Sequence, residues 1–227
     1  MKNAVIILSG GLDSTVCMSV AQKKGYNIYP ITFSYGQRHH KEVKQAQKIA
    51  AFYGCKRHLV LDTNFFRDIG SSALTSDSMA VPVGRGAGEM TQTIPVTYVP
   101  FRNAVFLAMA VGYAESLPAE TIYIGVNALD YSGYPDCRPG FIQAFQKAVN
   151  LGTAASDKGC VINIKTPLIY MTKAEIIKLG LQNNAPLQLT TSCYQGGEKA
   201  GGQCDSCLLR LKGFSEAGAV DPIEYAD

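Results

Sequence analysis

The first twenty-five residues constrain the fold more than any other part of the chain. Ala4-Val5-Ile6-Ile7-Leu8 is a short, unbroken apolar run that stops at Ser9-Gly10-Gly11. A run without alternation reads as a strand over Met1–Leu8 covered on both faces, the pattern of a parallel sheet. From Asp13 to Lys24 the apolar spacing turns helical, with Val16, Cys17, Val20 and Ala21 on one face and Gly25 as terminator. Strand, glycine turn and helix in immediate succession commit the chain to an α/β architecture.

The rhythm then repeats. Tyr26–Tyr35 is rich in β-branched and aromatic residues and reads as a second strand. His40–Tyr53 reads as a helix, with Val43, Ala46, Ile49 and Ala50 in register and Gly54 as stop, and Arg57–Leu61 as a third strand. Strands alternating with helices need crossovers, so the expected fold is a Rossmann-like open parallel sheet with helices on both faces. Asn64–Thr93 breaks the pattern. It is rich in Gly, Ser and Asp, and reads as a long loop or mobile insertion. Asn103–Ser116 is an almost wholly apolar helix, and Thr121–Val126 a strand opening into the loop Asn127–Pro139. A helix over Pro139–Asn150, a strand over Ile162–Lys165 and a helix over Thr172–Leu181 follow. The division expected is a nucleotide-handling domain over 1–189 and a dependent tail over 190–227, cysteine- and glycine-rich with a short helix over Asp205–Phe214.

Composition narrows the partners. Hydrophobic residues at 47% and charged residues at 17% describe a soluble globular protein. A net charge of +3, with no basic run longer than Lys23-Lys24, gives no footprint for nucleic acid or a membrane surface. No apolar stretch approaches the roughly 20 residues of a bilayer span, and Ala4–Leu8 is too short for a signal-peptide core, so the expected location is cytoplasmic. Seven cysteines at scattered positions do not make a disulfide framework.

The turn Ser9-Gly10-Gly11-Leu12-Asp13-Ser14-Thr15 carries the first chemical signal. Glycines at a strand-to-helix junction let an anion approach the backbone, and the positive end of the helix points at the same place. Ser9, Ser14 and Thr15 add hydroxyl donors. Asp13 is suited either to capping the helix or to holding the Mg²⁺ that bridges phosphate oxygens. The turn lacks the lysine of the Walker loop and the third glycine of the dinucleotide fingerprint.

This turn resembles the pyrophosphate loop of the N-type ATP pyrophosphatases, whose members form an adenylate, release pyrophosphate and let a nucleophile displace AMP. Four more segments sharpen the resemblance: Phe33-Ser34-Tyr35-Gly36-Gln37-Arg38-His39, Val99-Pro100-Phe101-Arg102-Asn103, Asp130-Tyr131-Ser132-Gly133-Tyr134-Pro135-Asp136-Cys137-Arg138, and Ser192-Cys193-Tyr194 with Cys204-Asp205-Ser206-Cys207-Leu208-Leu209-Arg210. With them the whole chain is similar to the 7-cyano-7-deazaguanine synthase family. The resemblance implies an adenine nucleotide alpha hydrolase-like sheet. It also implies a ligase that turns 7-carboxy-7-deazaguanine and ammonia into the nitrile at the expense of ATP, in queuosine precursor synthesis, as a homodimer. Leu8 to Thr15 would hold ATP, with Asp13 among the catalytic residues as a holder of Mg²⁺, and Arg102, Lys173 and Arg38 would be the cations that meet the charge on the α-phosphate. Asp130, Tyr131, Tyr134, Asp136 and Arg138 would hold the deazaguanine, by stacking and by accepting from its amine and ring N–H. A tRNA-modifying relative of the same superfamily and a non-catalytic nucleotide-binding module are the alternatives; the first would want a basic face and the second leaves the full set of polar loops idle.

Cys204-x-x-Cys207 with Cys193 upstream is a metal spacing, and Zn²⁺ is the ion it suits. The family carries a fourth cysteine three residues before that pair, where this chain has Gly201. Another side chain (Cys160 among them) or a water is expected to fill the gap; a redox pair or three metal-free thiols are the other readings. Cys137, with no histidine near it in sequence, is expected to be a packed thiol.

Overall fold

The computed structural model describes residues 2–37, 41–76, 78–84, 94–129 and 133–226. Five strands, β1 (Asn3–Ile7), β2 (Asn27–Ser34), β3 (Leu59–Asp62), β4 (Thr121–Ile124) and β5 (Asn163–Lys165), form one sheet in the order β3-β2-β1-β4-β5. Every neighbouring pair is parallel; Val5, for instance, faces Tyr29 on one side and Ile122 on the other. The sheet runs outward in both directions from β1 and β4, which makes the gap at their carboxyl ends the place where such sheets hold ligands.

Alternation along the central strands divides the core. Val5 and Ile7 of β1 and Ile122 and Ile124 of β4 point to one face, where α4 (Arg102–Ser116) and α5 (Pro139–Gly152) supply Phe106, Leu107, Ala110 and Ile142. Ala4 and Ile6 of β1 and Tyr123 of β4 point to the other. There α1 (Leu12–Lys23), α2 (Lys41–Phe52), α7 (Lys173–Gln182) and α8 (Asp205–Ala217) contribute Val16, Ile49, Ile177 and Phe214. Both faces are dry, which is why β1 carries no polar position between Ala4 and Leu8.

The expected elements are all present, with shifted ends. α5 runs to Gly152 and is followed by a single turn, α6 (Ala154–Asp157), which Thr153 caps by accepting from the Ser156 amide. The stretch read as an unbroken loop from Asn64 contains α3 (Phe65–Ile69). Its cause is Phe66, fully buried and set edge-on against Tyr35 and Phe106. The Asn127–Pro139 loop closes with a 3₁₀ turn at Pro135–Cys137. The tail is sewn into the sheet domain. Thr191 N–H donates to the Gly10 carbonyl at 2.9 Å, and α8 lies along α7 with Phe214 in the shared core.

Candidate active site

The glycine turn is locked by its own side chains. Ser9 Oγ accepts from the Gly11 amide at 3.2 Å and lies 3.0 Å from Ser14 Oγ. Ser14 Oγ and Thr15 Oγ1 donate to the Gly11 carbonyl at 3.0 and 2.8 Å. These bonds fix the backbone, while the first-turn amides of α1 have no partner within the helix and face its open end. Gly10 has φ +85°, and a Cβ there would strike the carbonyl of Glu42 on α2. Gly10→Ala is therefore expected to cost roughly 2 kcal/mol or more in urea unfolding, left-handed strain and a backbone clash together. Gly125, just past β4, packs closely on the start of α1; a Cβ there would lie 2.9 Å from the Ser14 nitrogen.

Asp13 does not cap α1: Gly11 holds the cap position without a side-chain bond, and Asp13 lies inside the first turn. Both its oxygens accept from Lys173 Nζ, each at 2.8 Å. Lys173 opens α7 behind a Thr172–Glu175 capping box, and its stem crosses Gly213 of α8, where any larger residue would collide with it. The structure thus joins two residues 160 positions apart into one ion pair beside the turn.

Opposite the turn the wall is aromatic. Phe33 stacks on Phe106 at 4.0 Å, and the Arg102 guanidinium sits 4.9 Å from the Tyr35 ring and 6.0 Å from that of Tyr134. Burial works against the charge on Arg102, but Tyr35, Tyr134 and Glu42 together raise its pKa above the ordinary value. Glu42 shows the reverse. Burial pushes its carboxyl up to about 7, against the pull of Arg102 and a hydrogen bond from Gln37. Phe101, immediately before Arg102, takes a left-handed conformation (φ 56°), and its amide donates to Tyr98 Oη at 2.9 Å.

The predicted substrate residues divide. Tyr134 lines the cavity, though its hydroxyl is occupied by the Thr97 carbonyl at 3.0 Å. Asp136 stands behind the wall, 1% exposed, and its oxygens accept from the Asn103 amide at 2.8 Å and from Asn103 Nδ2 at 3.2 Å. It thereby caps α4 from a distance and aims Arg102. Arg138 is exposed at the start of α5 and away from the cavity lining. Asp130, Tyr131 and Arg38 lie outside the described residues.

In the tail, the sulfurs of Cys193, Cys204 and Cys207 lie within 4.8 Å of one another, all three buried. The Gly201 amide donates to Cys193 Sγ at 3.3 Å, and Cys204 Sγ lies 3.5 Å from Cys207 Sγ. The donor set fits a thiophilic divalent ion. Cys160 is exposed and stands outside the group, so it does not supply the missing ligand. Cys137 is packed, as expected, with Asn103 Nδ2 donating to its sulfur at 3.1 Å.

Turn and aromatic wall enclose one cavity of about 290 Å³, sized for a small ligand. Leu8, Ser9, Gly11, Leu12, Asp13 and Ser14 line it, with Gly10 and Thr15 supporting from behind, and Lys173 and Arg102 reach it from opposite sides. Glu42, Gly125 and Thr191 also line it and were missed in the sequence, as do Tyr194 and Arg210, which lie in the quoted C-terminal segment but were given no site role. Gly125, directly after an apolar strand, repeats the signal of Gly10; Glu42 and Thr191 carry none, because only the fold brings them there.

A family model described as queuosine biosynthesis protein QueC matches residues 3–218. A 7-cyano-7-deazaguanine synthase of Acetivibrio thermocellus is 58% identical over 227 residues, covering 100% of this chain and 99% of that protein. One from Oceanobacillus iheyensis is 53% identical over 224 residues, covering 99% of this chain and 98% of its own length. Among solved structures, an NMN synthetase from Francisella tularensis matches with a TM-score of 0.50 at 13% identity, across 95% of this chain and 87% of that one, a likeness of fold alone. No described helix is long and apolar enough to cross a membrane.

Proposed function

The chain belongs to the QueC family of queuosine biosynthesis proteins, and we propose on that footing that the cavity between the glycine turn and Arg102 makes a deazaguanine nitrile from its carboxylate. It is an ATP-dependent enzyme of queuosine precursor synthesis acting on a small molecule. The observation that most supports the site assignment is the pairing of an anion-binding turn with a cationic, aromatic wall in one cavity.

A carboxylate resists ammonia because it has no leaving group. Attack by its oxygen on the α-phosphorus of ATP expels pyrophosphate and makes AMP the leaving group; ammonia then displaces AMP and leaves an amide. In a second round the amide oxygen attacks ATP in the same way, and AMP departs with that oxygen as nitrogen sheds its protons. Both rounds end on the same leaving pyrophosphate, so one α1 amino terminus serves both. Lys173 stands beside Asp13 at that end, and Arg102 faces the charge developing on the α-phosphate from the other. Mg²⁺, when bound with the nucleotide, would neutralise phosphate charge near Asp13. Glu42, with a carboxyl near neutrality in the cavity wall, is placed to take protons from the attacking nitrogen. The Tyr134 and Tyr35 rings offer the deazaguanine its aromatic face. A zinc ion on Cys193, Cys204 and Cys207 would hold the tail in shape beside Tyr194 of the cavity wall. Homodimer assembly in the cytoplasm belongs to the same reading, supported by the family resemblance.

Incubation with ATP, Mg²⁺, ammonia and 7-carboxy-7-deazaguanine tests it by mass spectrometry. The expected products are the 7-cyano base, AMP and pyrophosphate. Pyrophosphate release with the base unaltered would remove the reading.

A further inference from the structure

A structural zinc site is tetrahedral and takes four ligands. Here three thiols converge, and among the described residues no fourth cysteine, histidine or carboxylate joins them. The identity of the fourth ligand is therefore a question about which other donor the fold brings to the open side. Tyr225, packed against the cluster, donates its hydroxyl to Asp221 at 2.7 Å and is committed there.

Gly201 marks the open side. Its amide donates to Cys193 Sγ at 3.3 Å, and a Cβ built on it would stand 3.8 Å from that sulfur. The same Cβ would lie only 2.6 Å from Gln195 Oε1. The space that a side chain at position 201 would enter is already held by an amide oxygen. Residue 195 reaches this place by a short route, two positions along the chain from Cys193. Gln195 is exposed, so no core packing explains the placement of its side chain.

We infer that Gln195 Oε1 is the fourth ligand of the metal site, so that this chain binds zinc with three sulfurs and one amide oxygen. The consequence is a softer grip. A neutral amide oxygen is a weaker and harder donor to zinc than a thiolate, and the site carries one negative charge where four thiolates would carry two. The ion is accordingly the most exchangeable part of the tail, and its loss would loosen the segment between Cys193 and Cys207 without touching the glycine turn directly. This inference concerns the metal alone and stands independently of the reaction assigned to the cavity.

The test uses the purified full chain loaded with Zn²⁺, or with Co²⁺ as a spectroscopic probe. The wild-type chain is expected to bind one ion. Gln195→Ala should lose zinc to a colorimetric chelator at about tenfold lower chelator concentration, with a changed set of cobalt d–d bands. Gly201→Cys should do the opposite: retain zinc more strongly and raise the sulfur-to-cobalt charge-transfer absorbance by about a third, four thiolates in place of three. Thermal melts of the metal-free variants confirm that each still folds. Identical chelator competition and identical cobalt spectra for wild type and Gln195→Ala would overturn the inference, assigning the position to water. So would a wild-type chain that binds no zinc with its three thiols reduced.

Discussion

Arg102→Ala is expected to lower turnover about 100- to 1,000-fold, the usual loss when a preorganised donor to developing charge is removed. The expectation rests on placement. Arg102 is the first residue of α4, directly after the left-handed Phe101, its helix is capped from outside by Asp136, and its guanidinium lies against the rings of Tyr35 and Tyr134. A charge so fixed needs no reorganisation when the α-phosphate becomes more negative. The substitution also has a signature in pH. Arg102 holds the Glu42 carboxyl down against burial, which pushes it up to about 7. If the ionised carboxylate accepts a proton in the reaction, wild-type turnover rises with pH through about 7. Without the neighbouring cation that rise moves to higher pH. Arg102→Lys keeps the charge but not the planar stacking, so it should restore the position of the rise and only part of the rate. A pH profile of turnover for the three proteins decides the matter; an unshifted limb in Arg102→Ala would separate Glu42 from the chemistry.

Asp221→Ala is expected to destabilise the fold by about 3–5 kcal/mol, because it strands a buried guanidinium. For a chain of this size that is roughly 6–20 °C in melting temperature. Arg210 is 2% exposed and Asp221 6%, and they meet in a two-toothed bridge, Nε to Oδ2 at 2.7 Å and Nη2 to Oδ1 at 2.8 Å. Arg210 also donates to Thr190 Oγ1 at 2.7 Å and to the Ser192 hydroxyl at 3.3 Å. Between those two residues lies Thr191, whose amide holds the Gly10 carbonyl. The bridge therefore reaches the glycine turn in two steps, and ATP affinity should weaken along with stability. Calorimetry of Asp221→Ala and Asp221→Asn checks the first effect, and the latter should recover part of it by keeping an acceptor. A melting temperature within a degree or two of wild type would show that the tail does not brace the domain.

What could be read in advance has a common character. Ala4–Leu8, Gly10-Gly11, the helical face of α1 and the Cys204-x-x-Cys207 pair are local, each set by neighbours within one turn or one strand. The short apolar runs gave the parallel sheet because a strand buried on both faces cannot alternate. Asp136 and Arg138 could not be placed this way. They share a motif with Tyr134, yet the 3₁₀ turn at Pro135–Cys137 sends Asp136 under α4 and leaves Arg138 in solvent. α3 was missed for a similar reason: a five-residue helix has little propensity of its own and exists because Phe66 finds a pocket between Tyr35 and Phe106.

The sequence by itself determined the α/β class, the glycine turn between strand and helix and, in Cys204-x-x-Cys207, the core of the cysteine cluster, since each depends on residues close along the chain. The pairing of Lys173 with Asp13, the stacking of Arg102 beside Glu42 and the anchoring of the turn by Arg210 belong to the tertiary structure alone. Those contacts bridge separate helices on the two faces of the sheet, and no spacing rule reaches across a crossover. Charge and burial then set their chemistry, because a carboxyl or guanidinium takes its properties from what the folded chain places around it.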